Sequence, residues 1–83
     1  MNYRLTVDFD ALQFLFSLRR ADQVRLAWWL ERLRNSPFSL GQSVVVDPTG
    51  RDVQVSKFSQ FRVFHWADHA VKTVQVVKIE LNS

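Results

Sequence analysis

Polar and apolar residues alternate at the start of the chain, where Tyr3, Leu5 and Val7 take turns with Asn2, Arg4 and Thr6. A period of two is that of a strand with one buried face. The period then lengthens. From Ala11 to Leu18, residues Leu12, Leu15 and Leu18 fall along one side of a helix, and Phe14 and Phe16 widen that side. Asp8 or Asp10 can cap it, and Asp10 with Gln13 has capping-box spacing. A helix this short and this apolar must be covered. Arg19 to Asp22 interrupt the pattern, and Asp22 is placed to cap a second helix running to about Arg34, with Leu26, Trp29, Leu30 and Leu33 at helical spacing.

Val24, Ala27 and Trp28 spread apolar surface further round the second helix than one core-facing stripe needs. Two readings follow: a helical hairpin in which each helix packs on both its partner and a sheet, or a surface on which Trp28 or Trp29 docks a binding partner. Asn35, Ser36, Pro37 and Phe38 stop the helix, and Gly41 lies in the loop that follows. Val44 to Val46 begin a run of strands. Asp47, Pro48, Thr49 and Gly50 have the residue types of a type I turn, which leads into a strand over Asp52 to Lys57.

The next strand spans Phe61 to Trp66 and the last Val71 to about Leu81, joined by a turn at Ala67 to Ala70. With Trp66 opposite Val71, unbroken alternation puts Arg62, Phe64 and Trp66 on one face with Thr73, Gln75, Val77 and Ile79. Phe61, Val63, His65, Lys72, Val74, Val76 and Lys78 take the other. Phe61, Val63, Val74 and Val76 make the cleaner apolar set, so the helices belong on their side and Arg62 on the open face. The predicted architecture is α+β: an N-terminal strand, a helical hairpin, then a mainly antiparallel sheet of four to five strands with the helices on one face.

With 83 residues, the chain has room for one domain, residues 1–83, and a modest core. No cysteine is present, so disulfides and thiolate metal sites are excluded, and two histidines do not make a zinc site. No metal or cofactor is expected. The N-terminal ten residues carry acids where a secretory signal needs an apolar stretch, and no run is long enough to span a bilayer, so a cytoplasmic protein with no membrane partner is expected. Eight Arg and three Lys against eight acids give a formal charge of +3. That permits a nucleic-acid partner without requiring one.

Taken together, YRLTVDFDAL, the hairpin ending in RNSPF, DPTGRDVQV and FRVFHWADHAVKTVQVVKI resemble the RelE/ParE toxin superfamily of bacterial type II toxin–antitoxin systems, nearly end to end. The resemblance implies a toxin-like protein neutralised by an antitoxin, related to those called plasmid stabilisation proteins. It implies one of two actions: metal-independent endoribonuclease cleavage of mRNA at the ribosome, or non-catalytic binding, as in inhibitors of DNA gyrase or a degenerate toxin that only binds its antitoxin. Cleavage needs a general base for the 2′-hydroxyl and cationic donors for the phosphate. Arg62, in FRVF, is the candidate catalytic residue that binds the scissile phosphate, with Arg51 and Lys57 as substrate-binding cations. Where the resemblance implies paired lysines on the strand after the turn, this chain has Asp52 and Gln54, and Tyr3 is its one tyrosine. Trp28 and Trp29 are the candidate partner-binding residues. His65 reads as a satisfied, partly buried histidine, and Asp68 with His69 as groups that close a turn and pair with each other or a nearby cation. Lys72, Lys78 and Glu80 read as strand-surface charges. An antitoxin complex or a homodimer is expected to cover the apolar surface of the hairpin.

Overall fold

A computed structural model describes residues 2–82. Seven elements follow one another: β1 (Arg4–Val7), α1 (Phe9–Phe16), α2 (Arg20–Arg34), β2 (Ser43–Val46), β3 (Asp52–Phe58), β4 (Phe61–Asp68) and β5 (Thr73–Leu81). The five strands form a single sheet in the order β1-β5-β4-β3-β2. β1 runs parallel to β5, and the other neighbours are antiparallel. The α+β architecture is the one the periodicity predicts.

Both helices begin earlier than predicted. Asp8 precedes α1 with extended backbone and makes no side-chain cap. Its amide donates to the Val76 carbonyl at 2.8 Å and its carboxylate accepts from Gln75, so the residue belongs to the sheet. Asp10 lies inside the first turn, where its charge favours the helix dipole. Asp22 likewise lies in the first turn of α2, buried between Arg19 at 3.3 Å and Arg25 at 3.4 Å.

One face of the sheet carries the core. Phe61, Val63, Val74, Val76 and Ile79 are buried against Leu26, Leu30 and Leu33 of α2 and Ala11 of α1. The three leucines share a stripe at helical spacing, as their positions demand. Phe14 meets Phe61 edge-on at 6.1 Å, and Trp29 stacks on Phe58 at 5.6 Å. Arg34 ties the end of α2 to β1 by donating to the Tyr3 carbonyl at 2.9 Å.

The alternation along β5 does not run unbroken. Trp66 faces Gln75, not Val71, which leaves the parity unchanged as far as Val76. There the register shifts: His65 pairs with Val76 while Phe64 pairs with Lys78, leaving Val77 as an extra residue. One inserted residue exchanges the faces beyond it. Ile79, predicted on the open face, is buried in the core, and Lys78, predicted beneath the helices, is exposed on the opposite side.

Around Asp47 the turn forms as predicted. Its carboxylate accepts from the Thr49 amide and hydroxyl and from the Arg51 amide, and Gly50, with φ of 85°, donates to the Asp47 carbonyl. Those hydrogen bonds, Thr49 first, hold the Asp47 carboxyl below its usual range. Gly41 is required for a different reason. A Cβ there would collide with the Val55 backbone, so only glycine lets the loop lie against β3.

Candidate functional site

The sheet face away from the helices displays three cations on three adjacent strands. Lys57 on β3 is opposite Arg62 on β4, and Arg62 is opposite Glu80 on β5. The bulge at Val77 brings Lys78 to the same face, opposite Phe64. Arg62 donates through Nη2 to Glu80, and Lys78 Nζ reaches the same carboxylate at 3.1 Å. Hydrogen bonds from Arg62 and then Lys78 hold the Glu80 carboxyl below its usual range. Arg62 Nε is buried without a hydrogen-bond partner. Lys57 makes no ion pair among the described residues.

An aromatic strip continues the face along β4. Lys78 Nζ sits 5.7 Å from the Phe64 ring centre, and the Arg51 guanidinium lies over Trp66 at 3.8 Å. Beneath them Val53 and Val55 are buried and give the face an apolar floor. Arg51 also reaches Asp47 at 3.5 Å. Trp66 and Arg62 are four strand residues apart, roughly 13 Å, so Arg51 and Arg62 mark the two ends of the strip.

This face can hold anions. Three cations against one carboxylate leave the Lys57–Arg62–Lys78–Glu80 cluster positive, and guanidinium and ammonium groups are the usual ligands of phosphate oxygens. Its provision for proton transfer is poor. A general base works best with a pKa near the working pH, whereas Glu80 is held low by its two cations. His65, 3% exposed, points to the helix side and shares a hydrogen bond of 2.7 Å with Ser56 Oγ. Burial pushes its imidazole down to about 4. Among the described residues no three His, Asp or Glu side chains cluster as metal ligands, and no helix is long and apolar enough to cross a membrane.

No protein-family model and no curated protein matches the sequence. Solved structures do match. The chain superimposes over its whole length on 98% of a chain from the archaeal RelE–RelB complex of Pyrococcus horikoshii OT3, with a TM-score of 0.79 at 17% identity. Over 98% of its length it matches 99% of a chain from the toxin–antitoxin complex RelBE2 of Mycobacterium tuberculosis, with a TM-score of 0.80 at 13% identity. The chain has the RelE-like fold.

Within this RelE-like fold the candidate residues separate. Arg62 and Lys57 are neighbours on the open face, and Arg51 lies at its far end. Asp52 and Gln54 leave the site: Gln54 pairs with His65 on the helix side, and Asp52, two residues away, shares that side. The acid that replaces one of the implied lysines is on the opposite face, because the turn ending at Arg51 sets β3 with its odd-numbered residues toward Arg62. Lys78 and Glu80 are the site residues that the sequence reasoning missed. Only the bulge admits Lys78, and alternation carries no sign of it.

Trp28 and Trp29 divide between surface and interior. Trp28 is 73% exposed, flanked by Val24, Ala27 and Arg32, whereas Trp29 is wedged on Phe58 with an edge toward His65. At the β4–β5 turn, Asp68 accepts from the Ala70 amide and closes the turn as expected. It does not pair with His69. His69 instead shares a hydrogen bond of 2.6 Å with the Tyr3 hydroxyl and stacks on Phe38.

Proposed function

We propose that this protein is the toxin-like member of a toxin–antitoxin pair and that its open sheet face binds RNA. The observation that carries the reading is the meeting of Lys57, Arg62 and Lys78 on three adjacent strands, with Phe64 and Trp66 extending the row. Cations hold the phosphates, and partly buried rings with an Arg-capped tryptophan offer stacking surfaces for unpaired bases. Arg62 is the central phosphate ligand, with Lys57 and Lys78 beside it. One solved neighbour comes from a RelE–RelB complex and the other from a toxin–antitoxin complex, which supports a protein partner for this chain, with Trp28 on the exposed side of α2 as its anchor.

A second reading, a binding protein without nuclease activity, is favoured by a specific observation: among the described residues, the open face holds no group set up to take a proton from a 2′-hydroxyl. Expression with and without the adjacent gene's product, followed by mapping of mRNA ends on translating ribosomes, separates the two. Growth arrest with new mRNA ends that vanish in Arg62→Ala establishes the nuclease. Arrest with intact mRNA, together with inhibited supercoiling by the purified protein, assigns gyrase as the target. Absence of arrest and of RNA binding removes the toxin reading.

A further inference from the structure

A cleft of about 450 Å³ opens on the helix side of the sheet, between the loop after α2 and the ends of β3 and β4. Its size is that of a small-ligand site. None of the groups assigned to RNA binding on the open face, apart from the Arg51–Trp66 end of the strip, borders it. One wall is the Phe38–His69 stack, two parallel rings 4.4 Å apart, with Phe38 66% exposed. The other is a row of polar side chains, Asp52 and Gln54 on β3 and His65 on β4.

Those polar groups have unused capacity on defined atoms. Gly41 N donates to Gln54 Oε1 at 2.8 Å, which fixes the amide and leaves its Nε2 donors free. The Asp52 side chain has no hydrogen bond or ion pair among the described residues, so its carboxylate is an open double acceptor. His65 bonds Ser56 through Nε2 and lines the cleft, while Nδ1 has no partner and is not enclosed. A fixed amide donor beside a free carboxylate, with aromatic rings opposite, is a pattern of complementarity. It presents donor, then acceptor, acceptor, to a planar ligand.

We propose that this cleft binds a guanine base. Guanine offers one carbonyl acceptor at O6 beside two donors, N1–H and the 2-amino group. Gln54 Nε2 donates to O6, the Asp52 carboxylate accepts from N1–H and N2–H, and the ring lies against the Phe38–His69 wall. Adenine presents the reverse order of donor and acceptor on the same edge and would leave Asp52 facing a lone pair. Reading a base by its hydrogen-bonding edge while stacking it on aromatic or histidine rings is the general mode for unpaired bases. The base is the same whether it arrives on a free nucleotide or in an RNA chain.

The test is titration of the whole chain with guanosine, inosine and adenosine monophosphates, followed by backbone and side-chain amide NMR shifts. GMP is expected to bind at least tenfold more tightly than AMP and to move the Gln54 side-chain amide. IMP, which lacks the 2-amino group, is expected to fall between them. Asp52→Asn, at an exposed position that leaves the fold intact, should cut GMP affinity at least tenfold and leave AMP unchanged. GMP binding no tighter than AMP, an Asp52→Asn variant that keeps the preference, or shifts confined to Phe64 and Lys78 would each overturn the proposal. A uridine pentaribonucleotide carrying one guanosine identifies the source: binding tighter than GMP means that the base is read within RNA, and binding equal to or weaker than GMP means a free nucleotide. Because these readouts lie across the sheet from Arg62, failure of the open face to bind RNA would leave their outcome unaffected.

Discussion

Acidification from pH 7 to pH 5 should cost this fold about 2 kcal/mol through His65 alone. The imidazole is 3% exposed, faces the helix side and sits against the edge of Trp29. Burial lowers its pKa from 6.5 to about 4. Since the folded state binds the proton less readily than the unfolded chain, the contribution is full above the unfolded value. It falls as pH drops through 6.5 and levels off below 4. One unit is worth about 1.4 kcal/mol, so the whole window is worth roughly 3 kcal/mol and the span from pH 7 to 5 about 2 kcal/mol. That is a large part of the stability of a domain this size. Urea unfolding followed by tryptophan fluorescence, at half-unit pH steps from 7 to 5, measures it. The wild type should lose stability with a slope approaching one proton, and His65→Asn should lose correspondingly less over the same range. Equal slopes in the two proteins, or a His65 imidazole resonance that titrates near pH 6.5, would refute the burial argument and reopen His65 as a proton acceptor.

Three further outcomes are expected. Glu80→Gln keeps an acceptor for Arg62 but raises the net charge of the Lys57–Arg62–Lys78–Glu80 group from about +2 to about +3, so the log–log salt slope for single-stranded RNA should steepen from about −1.4 to about −2.1 and affinity at 0.1 M salt should rise about fivefold; an unchanged slope in filter-binding or anisotropy titrations would show that RNA binds elsewhere. Trp29→Ala should destabilise by about 3 kcal/mol because it empties the space over Phe58, whereas Trp28→Ala should change stability by less than about 1 kcal/mol in thermal unfolding and weaken capture of the co-expressed product of the adjacent gene. Gly41→Ala should cost at least about 2 kcal/mol in urea unfolding, since the methyl group meets the Val55 main chain and no side chain can move to make room.

Much of the fold was legible because local patterns and global packing agree. The period-two run at Tyr3–Val7, the leucine spacing in the second helix and the Asp47–Gly50 turn each specify their element by themselves, and all of them formed. Helix starts were harder. Asp8 has the chemistry of a cap, yet its amide and carboxylate are taken by β5, a partner nearly seventy residues away that no local rule can see. The candidate site was half legible. Arg62, Lys57 and Arg51 were recognisable as cations next to a turn or on a strand, but only pairing with β4 shows that Asp52 and Gln54 belong to the opposite face.

The sequence by itself determined the order of elements, the helix-facing set Phe61, Val63, Val74 and Val76, and the resemblance to RelE-like proteins, because these depend on spacing within single segments. Tertiary structure decided which charges meet. The extra residue at Val77 reverses the faces of the last half-strand, taking Ile79 into the core and Lys78 out to Arg62 and Glu80. Alternation is a local rule, but register is set between strands, by how well two chains fill the core when placed side by side. That pairing energy accommodates a bulge, and with it assembles a cationic face that lies scattered along the chain as Lys57, Arg62 and Lys78.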